Sequence, residues 1–107
     1  MKLSEFAAVM NELGIPCRYR QFRKGENPKP PYAVYYQDGE DNLNADNEAY
    51  HTIKSVTVEL ITVKKNEALE DTLKSLFNQN KLFFEFSDEM YIESEGLYQV
   101  IYDVSLI

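Results

Sequence analysis

Two residue types in this sequence could supply the reactive groups of an enzyme, a single histidine and a single cysteine. His51 opens a predicted strand, and a histidine base needs a nucleophile and an orienting carboxylate beside it. No G-x-S-x-G pattern accompanies it. Cys17 alternates with Ile15 and Tyr19, which favours a buried thiol over a reactive thiolate. The sequence therefore predicts that the protein is not an enzyme.

Acidic residues offer two further arrangements that could do chemistry. The segment from Asp38 to Glu48 is rich in Asp and Asn, but Gly39 stands second rather than sixth, unlike the helix–loop–helix calcium pattern. Glu93 and Glu95 could form a carboxylate pair, although 18 acidic residues in one chain produce such pairs by chance. Because no glycine-rich phosphate loop or dinucleotide fingerprint is present either, we expect no metal ion and no cofactor.

Length and charge limit the class of protein. The 107 residues, of which 44% are hydrophobic, predict a single folded domain over 1–107. Net charge is −7 and uneven, with six bases and three acids in 1–30 but five bases and fifteen acids in 31–107. The acidity argues against a protein that binds nucleic acid independently of sequence or binds an anionic membrane, and we expect neither specific nucleic-acid binding nor a membrane partner. With one cysteine and no visible signal peptide, we expect a soluble protein of a reducing cytoplasm.

Hydrophobic periodicity predicts the order α-β-β-β-α-β-β. The apolar stripes place helices at 4–13, with Ser4 as N-cap and Gly14 as stop, and at 67–79, with Asn66 as N-cap. Strands are predicted at 15–20, 32–36, 51–63, 82–86 and 97–107, a proline-rich arm at 23–31 and a loop at 38–48. Since each helix has one apolar stripe, the predicted class is α+β, a mainly antiparallel sheet with two helices packed on one face.

Charged and aromatic side chains outside the predicted core suggest contact surfaces. The candidate interface residues are Arg18, Arg20, Arg23 and Lys24 on a basic strip, Asp38, Glu40, Asp41 and Asp46 in the acidic loop, and Tyr36 and Tyr50. Two surfaces of opposite charge permit head-to-tail pairing between copies, and tyrosine is enriched at interfaces. Equally, a monomer carries such charges for solubility, and a small sheet fills its core with aromatic rings. Both interpretations remain open at this point.

Several segments together resemble a known family. They are Leu13-Gly14-Ile15-Pro16, Pro30-Pro31-Tyr32, Asp41-Asn42 with Ala45-Asp46-Asn47 and Tyr50-His51, and Tyr91-Ile92-Glu93-Ser94-Glu95 with Leu97-Tyr98-Gln99-Val100-Ile101-Tyr102. Across nearly the whole chain, the sequence resembles the small tail-terminator, or tail-completion, proteins of long-tailed (siphovirus-type) bacteriophages and of prophages in Gram-positive bacteria.

The resemblance implies a structural role. Such proteins form a ring, commonly a hexamer, on the last ring of a tail tube, where they stop tube polymerisation and provide the surface that joins the head. The expected partners are copies of the chain, the tail-tube protein and a head-completion or connector protein, first in the host cytoplasm and then in the virion. The alternatives are another head–tail connector or stopper ring, and an acidic inhibitor or immunity-type protein that binds a basic enzyme one to one.

Overall fold

The structure, a computed structural model, describes residues 1–43 and 51–107. Within them the chain forms two helices and five strands in the order α-β-β-β-α-β-β, which confirms the predicted α+β class. The elements are α1 (Leu3–Asn11), β1 (Cys17–Tyr19), β2 (Tyr32–Leu43), β3 (His51–Thr62), α2 (Glu67–Gln79), β4 (Phe83–Ile92) and β5 (Leu97–Leu106).

The five strands form one sheet in the order β1-β2-β3-β5-β4. β1 runs parallel to β2, and the remaining pairs are antiparallel. β1 and β4 are therefore the two edges, and four strand spacings separate them by about 19 Å. This separation matters for the surfaces considered below.

Both helices pack on the same face of the sheet and form the core with it. The period-2 alternation of β3 and β5 places their apolar residues on this face, as predicted. The fully or almost fully buried side chains are Phe6, Met10, Val56, Val58, Leu60, Leu73, Phe77, Val100, Tyr102, Val104 and Leu106. The second face of the sheet carries no helix in the part of the chain that the structure describes.

The helix ends agree with the sequence at two of three predicted positions. Asn66 caps α2, because its side-chain oxygen accepts a hydrogen bond from the Leu69 N–H at 3.0 Å. Gly14 has φ +80°, the left-handed conformation expected after α1. The prediction of Ser4 as N-cap was wrong, because α1 begins at Leu3 and its N-cap is Lys2. The Glu5 carboxylate accepts a hydrogen bond from the Lys2 backbone N–H at 2.8 Å and so fixes this start.

Strand pairing corrects three sequence-based assignments. The predicted loop at 38–48 is strand as far as Leu43, because β3 provides hydrogen-bonding partners for this polar stretch. The predicted strand at 82–86 continues to Ile92 along β5. Tyr19 faces the core as expected, with its ring centre 5.4 Å from that of the buried Tyr35, but it is 44% exposed rather than buried because β1 lies at the edge of the sheet.

The hairpin of β2 and β3 extends past the rest of the sheet. β5 pairs with β3 only from Lys54 to Thr62, whereas β2 and β3 remain paired as far as Leu43 and His51. The described residues accordingly measure 51 Å along their longest axis against 29 and 24 Å across it. We call this extension, residues 41–43 and 51–53, the projecting hairpin.

Candidate interaction surfaces

The structure places the reactive residues singled out in the sequence in different elements of the fold. Cys17 is 6% exposed, and burial raises the pKa of its thiol to about 11, although Arg18 acts in the opposite direction. Glu93 and Glu95 lie exposed in the turn between β4 and β5. The side chain of His51 lies outside the described part of the chain. What the described residues do present is a set of charged surfaces.

The described residues contain neither a cluster of metal ligands nor a helix that could span a membrane. Across 1–43 and 51–107, no group of three or more His, Cys, Asp or Glu side chains is placed to hold a metal ion. The helices in these ranges are too short or too polar to cross a membrane.

One surface is basic and lies at the β1 end of the sheet. Residues 15–31 contain five basic side chains and one acidic one, and we call this surface the basic edge. Arg18 pairs with Glu26 at 3.2 Å, and the Arg20 guanidinium lies 5.2 Å from the centre of the Tyr36 ring. Phe22 packs edge-on against Tyr32, with ring centres 5.3 Å apart. The segment after β1 is therefore held against the helix-free face of β2.

Glu26 fixes the turn that carries the exposed cations of the basic edge. Its carboxylate accepts a hydrogen bond from the Arg23 N–H at 2.9 Å, and this bond, aided by Arg18, lowers the pKa of Glu26. The neighbouring Lys24 and Lys29 are exposed and make no hydrogen bond or ion pair with the described residues. Of the predicted basic strip, Arg18 and Arg20 thus have partners within the chain, while the ammonium group of Lys24 is available. Lys29, which was not among the predicted interface residues, is available as well.

The predicted acidic residues lie at or just before the start of the projecting hairpin. Asp38, Glu40 and Asp41 are exposed, and Asp38 accepts a hydrogen bond from the Thr57 hydroxyl at 2.6 Å. Asp46 and Tyr50, also predicted as interface residues, lie outside the described residues. Because β2 is the neighbour of β1, these acids lie one strand from the basic edge rather than across the sheet from it.

A second acidic surface, which the sequence reasoning missed, lies at the far end of the sheet. Residues 83–95 hold five acidic side chains and no basic one, and we call this surface the acidic edge. It also exposes large apolar side chains: Phe83 by 65%, Phe86 by 56%, Met90 by 42% and Tyr91 by 53%. The available signal was the absence of Lys and Arg from residues 82–107, with five acids at 83–95, but its meaning depends on β4 being an edge strand.

Helix α2 anchors the acidic edge from the core side. Lys65, just before α2, donates hydrogen bonds to Glu70 of α2, at 2.9 Å, and to Glu89 of β4. These two carboxylates raise the pKa of Lys65 above its usual range. Phe84 packs against Phe77 with ring centres 5.1 Å apart. β4 is thus tied to α2 on one face, while its outer backbone edge and remaining side chains face solvent.

Comparisons with known proteins give a structural likeness but no family. No protein-family model matches the chain, and no curated protein matches it either. Among solved structures, a chain of the virion of a native gene transfer agent particle is similar, with 13% sequence identity and a TM-score of 0.48. The match covers 92% of this chain and 82% of that chain. A likeness of this size carries no argument about function.

Proposed function

We propose that this protein is a structural component of a phage or prophage tail, a tail terminator that forms a ring on the end of the tail tube. In this role it stops tube polymerisation and presents the surface to which the head-completion protein binds. The observation that carries the proposal is the presence of two unlike edges, one basic and one acidic, at opposite ends of a single sheet.

Unlike edges are what a ring of identical subunits requires. A head-to-tail contact joins two different surfaces of the same chain, and repeated contacts close into a ring when the rotation between subunits permits. Opposite charges would favour the correct contact and oppose the contact between like edges. The resemblance of the sequence to tail-terminator proteins supports the specific place of this ring on the tail.

The proposed role needs no catalysis. The buried thiol of Cys17 and the exposed carboxylates of the acidic edge serve packing and contact in this proposal, and neither cofactor nor metal takes part. A connector or stopper ring at the same junction would use the same two edges, so the partner protein distinguishes these roles.

A second candidate function follows from the acidic edge alone. Exposed acidic and aromatic residues on β4 would also suit an inhibitor or immunity-type protein that blocks a basic enzyme. That function predicts a monomer which binds one basic partner and has no use for the basic edge. The proposed ring uses both edges, and we favour it for this reason.

The test combines self-association with tube binding. The absolute mass is measured by light scattering after size exclusion over a concentration series, with and without tail tubes of the same phage or prophage. We expect a discrete ring, alone or on the tubes, and tubes that no longer elongate once it is added. A chain that neither self-associates nor binds tubes, but forms a one-to-one complex with a basic enzyme, would establish the inhibitor function instead.

A further inference from the structure

We propose that the acidic edge of one copy docks on the basic edge of the next copy, so that β4 is buried at each contact between subunits. The inference rests on the proposed ring and identifies the two surfaces that form it. In this contact the basic residues face the acids of β4, whereas the sequence had suggested the acids that lie in β2.

The first argument is that β4 is a long edge strand whose apolar side chains are uncovered. It is ten residues long, and one side of its backbone pairs with β5 while no described strand pairs with the other. Proteins protect such an edge with charged side chains, proline, a bulge or a short strand, and in β4 the acids and the register shift oppose pairing with a like edge. β4 contains neither lysine nor proline, and it exposes Phe83, Phe86, Met90 and Tyr91. A partner that covers the edge would remove this apolar area from water.

The second argument concerns the charge of that partner. The five acids of the acidic edge would repel one another if β4 paired with β4 of another copy around a two-fold axis. The occupant must therefore be basic. The register shift between Phe86 and Asp88 also interrupts a regular ladder at the centre of the strand, which further disfavours symmetric pairing.

The third argument identifies the occupant as a second copy. Within one copy the two edges lie about 19 Å apart at opposite ends of the sheet, so the basic edge does not neutralise the acidic edge of the same copy. Among the described residues, Glu89 of the acidic edge has an ion-pair partner, Lys65, and the other four acids have none. Lys24 and Lys29 are exposed without partners among the described residues, whereas Arg18 and Arg20 are already engaged. The basic edge of one copy therefore presents unpaired ammonium groups that can pair with the carboxylates on the acidic edge of another copy.

Charge reversal with complementation tests this contact. Glu85→Lys with Glu93→Lys reduces the charge of the acidic edge from −5 to −1, and Lys24→Glu with Lys29→Glu reduces the charge of the basic edge from +4 to 0. All four side chains are exposed and form no ion pair with the described residues, so both variants are expected to fold as the parent does. At low salt, each variant alone should associate at least about tenfold more weakly per contact than the parent. An equimolar mixture should form mixed pairs that neither variant forms alone, because the unchanged basic edge of the first variant can dock on the unchanged acidic edge of the second.

A matched control distinguishes the effect of changing the acidic edge from the effect of changing the net charge of the protein. Glu12→Lys with Asp71→Lys changes the charge by the same amount as the acidic-edge variant, but on exposed positions of the helix layer. This variant should assemble within about twofold of the parent, since exposed charges outside a contact have small effects.

Zero-length carbodiimide coupling gives a direct readout of the same contact. The parent is mixed from ¹⁴N- and ¹⁵N-labelled copies, so that a link between copies appears as a mixed-isotope peptide pair. We expect Lys24 or Lys29 linked to an acid of residues 83–95 in mixed-isotope pairs. Links from these lysines to Asp38, Glu40 or Asp41 alone would transfer the contact to β2 and overturn the proposal.

The outcomes also separate this inference from the proposed function. If the parent assembles and both edge variants assemble equally well, the contact is refuted while the ring survives. If the variants behave as expected but the assembly neither binds nor stops tail tubes, the contact stands and the terminator function is wrong. A parent that stays monomeric at low salt, with or without tubes, refutes both, and a mass of two subunits replaces the ring by a symmetric dimer.

Discussion

Replacing Tyr102 by phenylalanine should stabilise this protein, which is unusual for a change at the centre of a core. Tyr102 is fully buried in β5, and its hydroxyl has no hydrogen-bond partner among the described residues. Its ring lies 6.3 Å from that of Phe77, 6.5 Å from that of Phe84 and 6.1 Å from that of Phe86, centre to centre. Phenylalanine keeps these contacts and removes the unpaired oxygen.

The size of the effect follows from two opposing contributions. An unpaired buried hydroxyl costs about 1–3 kcal/mol. The space left by one oxygen, about 10 Å³, costs about 0.2 kcal/mol. We therefore expect Tyr102→Phe to raise the free energy of unfolding by at least about 1 kcal/mol. For a domain of this size, that corresponds to a rise in Tm of about 4–8 °C.

The pH dependence provides a second, independent measure. Burial, with a contribution from Glu70, raises the pKa of Tyr102 to about 12, against about 10 in an unfolded chain. Tyr102 therefore keeps its proton up to a higher pH in the folded than in the unfolded state. As a result, the free energy of unfolding of the parent falls by about 1.4 kcal/mol per pH unit between pH 10 and 12. Tyr102→Phe lacks this titration, so its advantage over the parent should widen above pH 10.

Urea unfolding followed by circular dichroism at pH 7 and up to pH 11 measures both effects. Tyr91→Phe is the control, because that ring is 53% exposed and its stability should change by less than about 0.5 kcal/mol. A Tyr102→Phe protein less stable than the parent at pH 7 would show that the hydroxyl has a partner. Parallel curves for the two proteins above pH 10 would contradict the raised pKa.

Three further predictions concern single side chains. At pH 8, iodoacetamide should alkylate Cys17 about a hundredfold more slowly in the folded than in the unfolded protein, because burial raises the pKa of the thiol to about 11; equal rates in mass spectrometry would contradict this. Asn66→Ala should cost about 1 kcal/mol in urea unfolding, because the Leu69 N–H loses its cap, while Asn66→Asp should restore most of it. Lys65→Met should lower the free energy of unfolding by about 1–2 kcal/mol, because the buried Glu70 carboxylate, 6% exposed, loses its ammonium partner. An equal decrease in the control Lys64→Met would refute that reason.

Local patterns in the sequence predicted most elements of the fold. The stripe of Leu69, Leu73, Leu76 and Phe77 identified α2, and its N-cap was correctly assigned to Asn66. The alternation in β3 and β5 identified the buried face of each strand. Such signals succeed because helix and strand periods depend on neighbours a few residues apart.

The candidate surfaces were less accessible to the same reasoning. The basic residues were identified from their spacing alone, but nothing local indicated that Arg18 would pair with Glu26 or that Arg20 would stack on Tyr36. The polar stretch after Gln37 predicted a loop, since its composition is typical of turns, yet pairing with β3 makes it strand as far as Leu43. Pairing with a distant strand overrides local propensity at such positions.

The sequence by itself determined the class of the fold, the order of its elements, the buried position of Cys17 and the uneven distribution of charge. Only the tertiary structure decided which strands form the edges of the sheet. Sheet order depends on pairing between distant segments, and β4 becomes an edge because β5 inserts between it and β3. This order places a basic and an acidic surface at opposite ends of one sheet, because strands adjacent in sequence need not be adjacent in space.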